Sequence, residues 1–300
     1  MSKSAFISII GVPNAGKSSL LNRLLGTKVA IISPKPQTTR TKITGVLTEG
    51  DVQTVFIDTP GFHRPKNQLG QHMMRAVGDS LGGIDGAVLV ADAAAKQIKE
   101  EEIELIERLK AQHIRAVLAL NKIDTLPSKE MLLEKIAAFS ALYDFDAVVP
   151  ISALKGENVE QLKEELEKFA VEGPFFFPED TLTDQPERVL VSEIIREKIL
   201  KLLSQEVPHG VAVSIEKMRM RDESDLMDIE AVIYCERESH KGIIIGKKGA
   251  MLKKISTLAR ADIERFFECR VNLSTWVKVK EDWRNRQGLI HNFGLDFQNE

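Results

Sequence analysis

Two hydrophobic patterns alternate along the first 170 residues. Residues 5–10, 52–57, 86–90, 116–120 and 147–150 are short, nearly unbroken runs of aliphatic and β-branched side chains. Such runs suit strands that are covered on both faces. Between them, residues 17–25, 68–81, 99–111, 129–142 and 159–170 place apolar side chains at helical spacing. This strand–helix alternation predicts an α/β fold built on a doubly wound parallel sheet. Residues 28–43, KVAIISPKPQTTRTKI, fit neither period. Pro34 and Pro36 interrupt them, and the stretch is long for an idle connection, so a functional loop is expected.

The pattern changes after residue 171. Residues 172–185, EGPFFFPEDTLTDQ, bracket three phenylalanines with Pro174 and Pro178. They read as a linker whose aromatic rings dock onto a neighbouring domain. Beyond it the order is an amphipathic helix over 188–204 and strands over 211–220 and 226–235. Two helices follow over 242–267, meeting at 246–249, and then a half-buried strand over 271–279. The expected division is therefore a first domain over 1–171, a linker over 172–186, a smaller α+β domain over 187–282 and a tail over 283–300.

Composition narrows the class. Apolar residues make up 43% and charged residues 28% of the chain, as in ordinary globular proteins. No apolar run approaches the roughly 18 residues needed to span a membrane. The N-terminus, MSKSAFISII, has too short an apolar stretch for a secretory signal. Cys235 and Cys269 form no CxxC pair, which suits two reduced thiols and a cytoplasmic location. The net charge of −3 says little, but residues 241–286 hold 12 Lys and Arg against five Asp and Glu. A basic block of that kind is a candidate anion-binding face.

Candidate chemistry begins at Gly11-Val12-Pro13-Asn14-Ala15-Gly16-Lys17-Ser18, followed by Ser19. The pattern GxxxxGK[ST] sits where a phosphate-binding loop must sit, after a strand and at the start of a helix. Its backbone N–H groups and the helix N-terminus attract phosphate oxygens. Lys17 can reach the β- and γ-phosphates, and the Ser18 hydroxyl can bind Mg²⁺. Asn121-Lys122-Ile123-Asp124 ends another strand, at the edge where ligands bind such sheets. The Asp124 carboxylate matches the N1–H and 2-amino donors of guanine, which adenine lacks. Lys122 would lie along the purine, and the Ala153 amide of Ser152-Ala153-Leu154 would meet O6.

Asp58-Thr59-Pro60-Gly61 ends a third strand. Asp58 would hold Mg²⁺ through water, and the Gly61 amide would meet the γ-phosphate. Together these motifs resemble a translation-factor-type GTPase domain. In the irregular loop, Thr39 is the expected Mg²⁺-binding hydroxyl, with Thr38 as the alternative. Phe62 follows Gly61 at the γ-phosphate, where Ras-like GTPases carry a water-orienting glutamine. A phenylalanine cannot hydrogen-bond water, so slow hydrolysis is expected. His63 and His72 are nearby candidates for that role. Asn14 leaves two readings open: it braces the loop, or it binds K⁺ beside the phosphates, as in some GTPases that share the pattern GxPNxGKS.

In the second domain Gly246-Lys247-Lys248-Gly249 lies between two helices. The segment GIIIGKKGAMLKKI resembles a KH module, whose GXXG loop clamps a single RNA strand. The order helix, two strands, two helices, strand resembles the type II form. A P-loop GTPase domain followed by a KH domain resembles the Era family of bacterial GTPases. The resemblance runs through GVPNAGKSSLLN, PQTTR, DTPGFHRPKNQLG, NKID, SALKGENV, EGPFFFPEDTLTDQ and HKGIIIGKKGAMLKKI to LSTWVKVKEDWRN. It implies GTP and GDP binding, Mg²⁺, and binding of 16S rRNA near its 3′ end in small (30S) subunit assembly. It also implies peripheral contact with the cytoplasmic membrane. The competing reading is a GTP-dependent regulator of a protein or membrane partner, with the basic domain as a docking face.

Overall fold

A computed structural model describes residues 1–204, 206–222 and 224–295. By its contacts the chain forms two units. The first comprises Met1–Ala30, Thr39–Pro65 and Gln71–Asp184; the second comprises Ile31–Thr38, Lys66–Gly70 and the residues from Gln185 onward.

In the first unit the strands are β1 (Lys3–Ile10), β2 (Ile43–Glu49), β3 (Val52–Asp58), β4 (Gly86–Asp92), β5 (Ala116–Asn121), β6 (Ala147–Ile151) and β7 (Val171–Glu172). The helices are α1 (Lys17–Leu24), α2 (Gln68–Asp79), α3 (Glu100–Ala111), α4 (Lys129–Ser140) and α5 (Val159–Glu167). The sheet order is β2-β3-β1-β4-β5-β6, with β7 beside the start of β1. Strands β3, β1, β4, β5 and β6 run parallel. Two strands depart from the expected parallel sheet: β2 pairs antiparallel with β3, and β7 antiparallel with β1. The sequence pattern missed both. Thr44, Gly45 and Thr48 give β2 no aliphatic run, so its pairing with β3 determines it rather than local propensity.

Alternate strand residues feed two cores, as a sheet with helices on both faces requires. Val88 and Val90 of β4 and Val117 and Ala119 of β5 pack with Leu20, Leu21 and Leu24 of α1 and Leu162 and Leu166 of α5. Their neighbours Ala87, Leu89, Leu118 and Leu120 pack with Val77 of α2, Leu105, Ile106 and Leu109 of α3 and Phe139 of α4. The strand order reverses at β1, so its carboxyl end is the switch point where such sheets bind ligands. The linker aromatics are held within this unit. Phe176 packs edge-on against Phe6, with 4.8 Å between centroids. The fully buried Gln53 accepts the Phe176 and Phe177 amides at 2.8 and 3.0 Å and donates to the Phe177 carbonyl at 2.9 Å. The Val46 amide of β2 donates to the Leu182 carbonyl at 2.9 Å, and Thr183 Oγ1 donates to the Thr44 carbonyl at 2.6 Å.

The second unit contains α6 (Glu187–Leu202), β8 (Ala212–Met220), β9 (Leu226–Cys235), α7 (Glu238–Ile245), α8 (Ala250–Phe267), β10 (Arg270–Val279) and α9 (Gln287–Asn292). Its sheet order is β10-β9-β8, with β9 parallel to β10 and antiparallel to β8. Ile229, Ala231 and Ile233 pack with Ile195 and Ile199 of α6 and with Ile255, Ala259 and Ile263 of α8. Helix α6 differs from its amphipathic expectation: Arg196, Glu197 and Lys198 are buried along with its aliphatic side chains. Residues 31–38 account for much of this. Glu197 Oε1 accepts the Ile32 amide at 3.0 Å, Arg196 donates to the Thr38 carbonyl, and Lys35 donates to the carbonyls of Leu200 and Leu203.

The described part of the tail runs to Leu295. Trp283 is buried and donates to the Gly210 carbonyl at 2.9 Å, and Phe293 packs against Trp283 and Tyr234. The last residues of the expected tail, 296–300, lie outside the described residues.

Candidate functional site

Four strand ends bring the predicted nucleotide residues together. After β1 the chain turns through 11–16 into α1, and Gly16 has φ +103, a left-handed conformation open to glycine. A Cβ there would fall 2.1 Å from Asn121 Nδ2, which itself donates to the Ala15 carbonyl at 2.8 Å. The motif at the end of β5 thus buttresses the loop at the end of β1. Asn14 is exposed at φ 65. Ser19 lies in the first turn of α1. Lys17 is buried and donates to the Gly11 and Val12 carbonyls at 3.1 and 3.2 Å. Burial lowers its pKa to about 8, an effect that the Asp58 charge opposes.

The oxygens expected to hold Mg²⁺ converge. Ser18 Oγ donates to Asp58 Oδ2 at 2.6 Å and lies 2.8 Å from Thr39 Oγ1. Thr38 Oγ1 instead donates to the Lys35 carbonyl at 2.6 Å. Burial raises the Asp58 pKa to about 6, opposed by Lys17, the Ser18 hydroxyl and the Thr59 amide. Asp58 Oδ1 is buried with no hydrogen-bond partner among the described residues. An orphaned carboxylate oxygen beside two hydroxyls is a hard, all-oxygen donor set that suits Mg²⁺.

Thr59 is buried and donates through Oγ1 to the Ile9 carbonyl at 2.9 Å. Gly61 follows Pro60 and lies tight against the phosphate loop: a Cβ on it would approach Pro13 Cα to 2.7 Å. Phe62 departs from its expected phosphate-facing place. Its amide donates to the Gly11 carbonyl at 3.0 Å. Its ring is buried in the core that faces α2, α3 and α4, with the Arg108 guanidinium 4.7 Å from the ring centroid. His63 Nδ1 lies 2.7 Å from the Gly61 carbonyl oxygen, and His72 lies on α2.

Among the residues expected at guanine, Ser152 Oγ donates to Asp124 Oδ1 at 2.7 Å. Asn121 Oδ1 accepts the Lys122 amide at 2.8 Å and the Ala153 amide at 3.0 Å. The amide expected to meet guanine O6 is therefore engaged by Asn121, and Leu154 beside it is 75% exposed. Lys122 Nζ pairs with Asp92 Oδ2 at 2.6 Å. The sequence reading missed Asp92. The available signal was its place at the carboxyl end of β4, in register with Asn121.

In the second unit, α7 ends at Gly246 (φ 71, ψ 177), and Lys247–Gly249 form a tight turn before α8 in which Lys248 is left-handed (φ 51, ψ 31). A Cβ on Gly246 would approach Met251 Cβ to 2.7 Å, so the tight turn requires glycine. Lys247 and Lys248 are exposed, as are Lys253, Lys254 and Arg260 on α8, while Ile255, Ala259 and Ile263 face the core. The arrangement is a cationic turn at a helix N-terminus, a combination suited to phosphate.

Comparison with known proteins agrees with both halves. Residues 6–122 match the family model of a 50S ribosome-binding GTPase, and residues 206–284 match that of a KH domain. GTPase Era of Clostridioides difficile (strain 630) is 49% identical over 296 residues, covering 99% of each chain. GTPase Era of Alkaliphilus metalliredigens (strain QYMF) is 46% identical, covering 98% of this chain and 99% of that one. A crystal structure of an Aquifex aeolicus Era variant bound to GDP·AlF4⁻ superposes with a TM-score of 0.94 at 38% identity, over 98% of this chain and all of that one. A structure of Era with MgGDPNP and nucleotides 1506–1542 of 16S ribosomal RNA gives a TM-score of 0.95 at 38% identity, over 99% and 100% of the two chains. With a P-loop GTPase fold, a KH domain and near-complete alignment to these relatives, the chain belongs to the Era family of GTPases.

Proposed function

We propose that this chain is a GTP-switched RNA-binding protein that binds 16S rRNA near its 3′ end and assists small-subunit assembly. One observation carries the reading: a single chain joins a guanine-type nucleotide site to an exposed GKKG turn of KH type. A related Era binds MgGDPNP together with 16S nucleotides. In this reading residues 11–19 cradle the phosphates, and Ser18, Thr39 and Asp58 hold Mg²⁺. When bound, the ion neutralises phosphate charge. Asp124, steadied by Ser152, reads the guanine edge, and Lys122 covers the purine. Thr59, Pro60 and Gly61 line the γ-phosphate side.

GTP is hydrolysed to GDP and phosphate slowly, because the residue after Gly61 offers water no hydrogen bond: Phe62 is turned into the core. Asn14 is the candidate ligand for K⁺. Gly246, Lys247, Lys248 and Gly249 hold the RNA backbone. The family resemblance adds a cytoplasmic location and peripheral membrane contact to the proposal. Among the described residues no helix is long and apolar enough to cross a membrane.

The test is titration of a single-stranded RNA carrying the 3′ end of 16S rRNA, with the protein bound to GDP or to a non-hydrolysable GTP analogue. Tighter binding in the GTP-like state is expected. Binding of no RNA in either state would leave the basic domain as a docking face for a protein or membrane partner.

A further inference from the structure

The guanine-side loop is held by a residue that no motif singles out. Arg23 lies in the last turn of α1, the helix that begins with Lys17 and Ser18. Its Nε donates to the Ala153 carbonyl at 3.1 Å and its Nη2 to the Leu154 carbonyl at 2.5 Å. A Cβ built on Gly156 would lie 3.5 Å from Arg23 Nη1, so the guanidinium also rests on the loop's turn. Lysine offers a point charge, whereas the planar guanidinium presents a rigid fork of donors that suits two adjacent carbonyls.

The loop's own amides are mostly committed. The Ala153 amide goes to Asn121 Oδ1, the Lys155 amide to Ser152 Oγ at 3.1 Å, and the Gly156 amide to the Ser152 carbonyl at 2.7 Å. In residues 153–156 the Leu154 amide is the one with no partner among the described residues. It belongs to the same peptide unit as the Ala153 carbonyl that Arg23 holds. A trans peptide sets its N–H opposite its C=O, so fixing one side fixes the other. A cation on the carbonyl oxygen also polarises the peptide and strengthens its N–H as a donor.

We propose that Arg23 is a positioning residue for base recognition, which aims and polarises the Leu154 amide toward guanine O6. The proposal rests on the reading of 152–154 as the guanine loop. It gives α1 two tasks. Six residues at about 1.5 Å per residue separate Lys17 from Arg23, so the two side chains leave one rigid helix about 9 Å apart along its axis.

The test compares the full-length parent with Arg23→Ala by calorimetry, using MgGDP and Mg-6-thioguanosine diphosphate. Sulfur is a weak acceptor in place of O6, while N1–H and the 2-amino group are unchanged. Arg23→Ala is expected to lower GDP affinity about tenfold and thio-GDP affinity less than twofold. Arg23→Lys, a smaller change that guards against misfolding, should recover part of the GDP affinity. Equal losses for both ligands would make Arg23 a mere brace of the fold and overturn the proposal, and so would no loss for either. Asp124→Asn, measured alongside, separates the two levels. If it weakens GDP binding while Arg23→Ala does not, only the role of Arg23 fails. If Asp124→Asn changes nothing, the guanine reading of this loop fails with it.

Discussion

Phe62 shows how one side chain can separate stability from chemistry. Its ring is 4% exposed, and the Arg108 guanidinium lies over one face. Truncating a buried phenylalanine costs about 3–5 kcal/mol through lost transfer energy and the cavity left behind. Phe62→Ala should therefore lower the thermal midpoint markedly while turnover per folded molecule changes little. Calorimetric melting and GTP hydrolysis measured on the same sample check this; unchanged melting with lost turnover would give the ring a catalytic role. Cys235 is a second residue whose setting decides its chemistry. Burial raises its thiol pKa to about 11. Since the thiolate is the nucleophile, about one molecule in a thousand is reactive at pH 8. Alkylation should be slow in the native protein, should accelerate as pH rises toward 11, and should become fast on unfolding. Rapid native labelling at Cys235 would contradict that burial.

At the scale of elements, the turn between α7 and α8 ties backbone conformation to charge. Gly246 permits the turn, the two lysines are exposed, and Asp tolerates the left-handed conformation of Lys248, so replacing only the lysines with Asp keeps the geometry. Replacing both Lys247 and Lys248 with Asp should weaken RNA binding strongly and leave GTP binding nearly unchanged. The slope of log affinity against log salt should fall by about 0.7 per lost phosphate contact on a single strand. RNA titrations at two salt concentrations measure it, and an unchanged slope would remove this turn from the RNA path. The elements themselves were unevenly legible. Strands such as β4 and β5 declare themselves because both faces are buried and no position before the terminal Asp92 and Asn121 is polar. The antiparallel β2 does not, because half its definition comes from β3. Helix α6 looked amphipathic because nothing in its own sequence shows that residues 31–38 bury its polar side. In the site, the side-chain motifs were legible because their spacing is fixed by chemistry. The Asn121–Ala153 and Arg23 contacts were not, since backbone amides and carbonyls carry no sequence signature.

For the molecule as a whole, the segment after β7 has a part beyond joining one unit to the next. The Val46 amide and the Thr44 carbonyl of β2 both meet it, at Leu182 and Thr183, while Gln53 fixes Phe176 and Phe177. Strand β2 is the terminal strand of its sheet. An open sheet margin is a template for pairing with another chain, and proteins commonly blunt it with a covering segment. A fragment ending at residue 171 would uncover that margin and leave the buried Gln53 amide with only its bond to Thr48 Oγ1. A fragment ending at residue 184 would keep both. Light scattering at rising concentration should show self-association of the shorter fragment and not of the longer, and equal behaviour would deny the segment this role. If only the shorter fragment associates, residues 174–184 guard the sheet against aggregation, and the tolerance of this stretch to mutation should track colloidal stability as well as domain connection.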